Sequence, residues 1–94
     1  MLLERAELLI KDGMEADFLV VLQGQVAPLL RGVPGVGEVR SGRGVENPGK
    51  FVLLVEWASM DAHTAFKSLP QYPRMQQLMG PFAKGGAMEH FEVA

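Results

Sequence analysis

The chain has 94 residues, 48% of them hydrophobic, with a net charge of -2 and no cysteine. That length holds one domain with a single core, and the composition is that of a globular chain. Disulfides and thiolate metal ligation are excluded, the absence of a basic run argues against a nucleic-acid partner, and no apolar stretch approaches the roughly 18 residues of a membrane-spanning helix.

One domain over residues 1–94 is therefore expected. The first ten residues contain Glu4, Arg5 and Glu7 and so do not read as a signal peptide, which makes a cytoplasmic protein the default. A chain of this size buries only about 60–65% of its unfolded surface, so oligomerisation is the available source of further burial.

From Leu2 to Lys11, Leu2, Ala6, Leu8 and Ile10 fall on one alternation that Glu4 interrupts, the pattern of a first strand. Asp12, three residues before Glu15, has the spacing of a reciprocally capped helix start. Over Met14 to Arg31 the stripe Phe18, Leu22, Val26 and Leu29 repeats every three or four residues, with Leu19 and Leu30 beside it, and predicts a helix. Gly32 in a left-handed conformation and Pro34 would end it. Val36 to Val45 is glycine-rich and predicts a twisted or bulged second strand. Asn47-Pro48-Gly49 is a turn, and Phe51 to Trp57, apolar on both alternations except at Glu56, is a central strand. With Ser59 or Asp61 as cap, a second helix runs from Ala62 to Leu69, breaks at Pro70 and resumes from Pro73 to Phe82. Met88 to Val93 alternates as a last strand.

The order β-α-β-β-α-β predicts an α+β, ferredoxin-like fold, a four-stranded antiparallel sheet with its helices on one face. The third strand carries apolar residues toward the bare face as well, so that face is expected to meet a second copy in a homodimer.

Few constellations carry chemistry. Gly35-Val36-Gly37 would need a third glycine at position 40, where Arg40 stands, and a strand follows, so no dinucleotide loop is expected. The candidate metal ligands His63, His90, Asp61, Glu56 and Glu89 lack a short regular spacing, so no metal and no cofactor is expected. Ser41, Ser59 and Ser68 sit in no nucleophile elbow. The remaining group joins polar tips to apolar bodies: Trp57 at the end of the third strand, His63 and Phe66 three apart on one helical face, then Tyr72, Met75, Met79 and Phe82. Such a pocket suits a flat aromatic ligand, with His63 as hydrogen-bond partner or base. The plainer alternative makes the stripe core, His63 a structural donor to a backbone carbonyl, Trp57 a plug whose indole N–H meets a carbonyl, and Tyr72 a hinge residue between two prolines.

The run Asn47-Pro-Gly-Lys-Phe51-Val-Leu-Leu-Val-Glu-Trp57-Ala-Ser59-Met-Asp61-Ala-His63-Thr-Ala-Phe66, with Gly80-Pro81-Phe82 and Glu89-His90-Phe91-Glu92, resembles the antibiotic biosynthesis monooxygenase domain family of the dimeric α/β barrel superfamily. The resemblance implies a homodimer whose sheets face each other and a pocket in each subunit between sheet and helices. It also implies oxygenation of quinols or aromatic phenolic compounds without metal or flavin. Trp57 matches a tryptophan of polyketide-oxidising relatives, whereas His63, Leu53 and Gln76 stand where those have Tyr, Asn and Arg. The positions used by haem-degrading relatives hold Ala6, Phe66 and Gln76 here, which points away from haem. Two functions follow: a cofactor-independent monooxygenase with His63 as base and Trp57 beside it, or a binding or stress-response module that holds a small aromatic molecule unchanged. A purely structural dimer is a third.

Overall fold

A computed structural model describes residues 1–94. Strand β1 is Leu2–Ile10. One continuous helix, α1, follows: α-helical Glu15–Val21, a π-helical turn at Leu22–Val26, and α-helical Ala27–Arg31. Strands β2 (Val36–Arg43) and β3 (Lys50–Trp57) precede two short helices, α2 (Met60–Phe66) and α3 (Gln71–Met79), and β4 (Ala83–Glu92) closes the chain. All pairings are antiparallel, in the order β2-β3-β1-β4. The ferredoxin-like α+β architecture is as expected, with β3 central. The bulge expected in β2 lies between Val36 and Val39, where the register against β3 shifts.

The core lies between the sheet and the helices. Along β3, Phe51, Leu53, Val55 and Trp57 are buried and alternate with half-buried Val52, Leu54 and Glu56 on the far face. Helix α1 buries Phe18, Leu22, Val26 and Leu30. A step of four drifts around an α-helix of 3.6 residues per turn, and the wider π turn, in which Ala27 N–H reaches the Leu22 carbonyl, absorbs the drift. The buried residue is consequently Leu30 and not Leu29.

Three local expectations are corrected. No side chain caps the first residue of α1: Glu15 accepts from the Gly13 N–H, while Asp12 pairs with Lys84. Gly32 remains right-handed at φ -87, and the left-handed residue is Gly35 at φ +88. A Cβ at Gly35 would stand 2.6 Å from the Ala62 Cβ, so the glycine is required where the chain passes under α2. Strand β4 starts at Ala83 and not Met88, because Gly85 and Gly86, which carry no hydrophobic alternation, pair with Leu9 and Leu8. Ser59, rather than Asp61, caps α2 by accepting from the Ala62 N–H. The second helix does break before Pro70, and α2 and α3 are its two parts.

Candidate functional site

At one end of the inner sheet face, side chains from three strands converge beneath α2. Glu4 lies directly across from His90, and Trp57 pairs with Leu2, so strand alternation points Glu4, His90 and Trp57 toward the helices. The Ser59 cap starts α2 so that His63 and Phe66, three residues apart, turn down onto the same spot.

Glu4 and His63 are the two buried polar residues of the chain, 6% and 7% exposed. Trp57 Nε1 donates to Glu4 Oε1 at 3.1 Å. His63 Nε2 stands 3.1 Å from the same oxygen, and His90 Nε2 stands 3.8 Å from it. The His63 ring meets Trp57 and His90 edge to face, at centroid distances of 5.1 and 4.5 Å. His90 Nε2 is buried with no hydrogen-bond partner.

The electrostatics follow from dryness. Burial pushes the Glu4 carboxyl above its ordinary 4.5, against the indole N–H and His90, which both pull it down. Burial also pushes the His63 imidazole below its ordinary 6.5, assisted by His90 and Lys67 nearby. The 3.1 Å approach suits an ion pair, yet desolvation outweighs that attraction for both partners, so the imidazolium–carboxylate form is disfavoured.

Beside this pair lies a cavity of about 160 Å³, lined by Glu4, His63, Trp57, Phe66, Tyr72 and Met75 together with Leu30, Lys67 and Met88. An apolar cavity of about 150 Å³ accepts a benzene ring, so this one has the size of a single aromatic ring. A wider recess of about 340 Å³ at the opposite end has only Leu9 as an apolar wall, among Asp12, Glu15, Asn47 and Lys84, and offers nothing to stack on a ring.

Of the residues singled out in the sequence, Trp57, His63, Phe66, Tyr72 and Met75 meet at the cavity. Met79 and Phe82 do not. They pack at the other end of the core, where Phe82 stacks 5.6 Å from Phe18, because the last turn of α3 has by then passed beyond the cavity. Trp57 holds the Glu4 carboxylate, so its indole N–H meets a side chain and not a carbonyl of the backbone. Glu4 was missed, as were Leu30, Lys67 and Met88. The available signal was the charge at position 4 on the inward alternation of Leu2, Ala6 and Ile10.

A small antiparallel ferredoxin-like sheet roofed on one face by helices, with an apolar cavity closed by a buried acid and imidazole, defines the class of the protein. The antibiotic biosynthesis monooxygenase family model matches residues 1–78, and the chain belongs to that family. It is 32% identical to the uncharacterized protein YczJ of Bacillus subtilis over 98% of both chains. The fold superposes with TM-score 0.89 on a family protein from Bordetella bronchiseptica, at 28% identity over 99% of this chain and 96% of that one. It superposes with TM-score 0.83 on SnoaB, a cofactor-independent oxygenase from Streptomyces nogalater, at 15% identity over 98% and 91% of the two chains, a likeness of fold alone. No helix is long and apolar enough to cross a membrane.

Proposed function

We propose that the protein is a cofactor-independent monooxygenase of a single-ring phenol or quinol, with His63 and Glu4 acting together as the base. The observation that carries this reading is the ring-sized apolar cavity whose polar wall is that buried pair. His63 Nε2 faces Glu4, which leaves the other ring nitrogen to take the phenolic proton. The Nε2 proton passes to Glu4 Oε1, and it comes to rest on a carboxyl whose proton affinity burial has raised.

The phenolate gives one electron to dioxygen, the radical pair joins at a ring carbon, and the hydroperoxide loses water to leave a quinone. For phenol itself, one molecule of phenol and one of dioxygen become one of benzoquinone and one of water, so the substrate supplies all the electrons. One oxygen atom of dioxygen ends in the quinone and the other in the water. Phe66, Tyr72 and Met75 keep water from the radical pair. The membership of the family and the cofactor-independent oxygenase among its fold neighbours support the reaction class.

We also propose a homodimer through the uncovered sheet face, where Leu3, Val52 and Leu54 alternate with the buried residues of β1 and β3, and Phe91 lies across from Leu3 on β4. Phe91 is 43% exposed there. Sedimentation equilibrium should return twice the 10.3 kDa chain mass.

The activity test is oxygen uptake by metal-stripped protein on one-ring quinols and phenols set against fused polycyclic ones. Uptake confined to single rings, and lost in His63→Ala, is the expected result. A ring that binds without any uptake above the protein-free rate would turn the assignment to the binding module instead.

A further inference from the structure

The three groups that meet at Glu4 have a property that the oxygenase reading does not use. Glu4 comes from β1, His90 from the facing position on β4 and His63 from α2, and their ligating atoms all lie within 4.8 Å of one another. Two imidazoles and one carboxylate, with Glu4 and His63 in the wall of the cavity and His90 behind them, are the donor set of open transition-metal sites. Ligands about 2.0–2.2 Å from a tetrahedral or octahedral ion sit roughly 3.0–3.5 Å apart. Glu4 Oε1 and His63 Nε2 are already 3.1 Å apart, and His90 Nε2 is 3.8 Å from that oxygen. Closing the set needs ligating atoms that lie within 4.8 Å of one another to draw together by roughly 1–2 Å, and His90 stands on an edge strand that is mostly exposed.

A second observation is the His90 Nε2 atom, buried with no partner of its own. A buried polar atom left unsatisfied gives up its hydration for nothing, so such atoms are rare without a reason. A cation at this point would supply the partner. The indole N–H of Trp57, bonded to Glu4 Oε1 at 3.1 Å, would then steady the carboxylate from behind, as outer partners of metal ligands do.

We infer that Glu4, His63 and His90 form a binding site for a divalent first-row transition cation of the zinc type, and that the bound ion silences the base by occupying His63. Hard cations are not the fit, because magnesium and calcium call for oxygen donors. The inference goes beyond the oxygenase reading and stands without it, since binding is measured on the protein alone. The silencing clause alone rests on that reading.

The experiment titrates zinc into the chelator-stripped full chain against a chromogenic chelator, with magnesium as the comparison, in wild type, His90→Ala and Glu89→Gln. Cobalt titrated into the same three proteins reports the coordination geometry through its visible absorption. The expected result is one zinc per chain, no effect of magnesium, a loss of affinity of about 100-fold or more in His90→Ala, and wild-type affinity in Glu89→Gln. His90 is half-buried on an edge strand, so its variant should stay folded, which circular dichroism would check. Equal zinc affinity in wild type and His90→Ala, or no binding by wild type, overturns the site. If zinc binds as expected but leaves oxygen uptake intact, the site stands and the silencing role falls. If zinc binds and the metal-stripped protein never consumes oxygen, it is the oxygenase reading that fails.

Discussion

The two ends of the inner sheet face are built from the same strands and similar aromatic residues, yet they differ in kind. At one end Phe18 meets Phe51 edge to face at 5.1 Å and Phe82 at 5.6 Å, with Ile10 fully buried beneath them. At the other, Trp57, Phe66 and Tyr72 meet in sequence at 5.6 and 5.3 Å, tilted and then edge to face, but around a cavity and a buried carboxyl. The first end uses its rings to fill space and the second uses them to leave some. A single polar residue on the inward alternation of β1, Glu4, separates the two outcomes, since its indole and imidazole partners hold side chains that would otherwise collapse inward.

That contrast can be broken from the filled end first. Phe18→Ala should cost about 3–5 kcal/mol of stability, the usual loss for a buried aromatic ring, read by urea denaturation, while KM per folded molecule stays unchanged. A change in KM comparable to the loss of stability would mean that the two ends are not independent. At the cavity end, His63→Ala should lower kcat/KM by about 100-fold or more. Glu4→Gln should act likewise, and the double variant should lose little beyond either single one, because the two pass one proton. Additive losses would separate them.

The pH dependence sharpens the comparison further. The folded His63 pKa is lowered, so its contribution to stability is full above 6.5 and is lost as pH falls through the folded value. The folded Glu4 pKa is raised, so its contribution is full below 4.5 and is lost as pH rises through the folded value. Glu4→Gln should therefore gain stability relative to wild type as pH climbs from about 4.5, whereas Phe18→Ala should keep a constant difference across the same range. A flat difference for Glu4→Gln would show that its carboxyl is no harder to ionise than in the unfolded chain. The smallest effect expected is that of Ser59→Ala, about 1 kcal/mol from the lost cap of α2, with a rise in KM because the cap sets where His63 points.

The difference between the two ends also explains what could be read from the sequence. Helical spacing placed His63 and Phe66 on one face, and the apolar run ending at Trp57 marked a central strand, so five of the cavity residues were visible from local pattern. Glu4 was not, because a charge on an apolar alternation normally marks an exposed interruption. What buries it are partners 53, 59 and 86 positions along the chain, and no local window holds them. Leu29 and Leu30 were exchanged for a related reason: the π turn at Leu22–Val26 shifts the phase of everything after it. The glycines of early β4 carry no periodic signal, and only pairing with β1 makes that segment a strand.

The chain has one tryptophan, and Trp57 is the wall of the cavity and the donor to Glu4. The protein thus carries its own fluorophore at the place where chemistry is proposed, with no second indole to dilute the signal. Proton transfer to Glu4, a ring entering the cavity or an ion drawn between the histidines would each alter the indole's immediate surroundings. Each could be followed as emitted light from the unlabelled molecule.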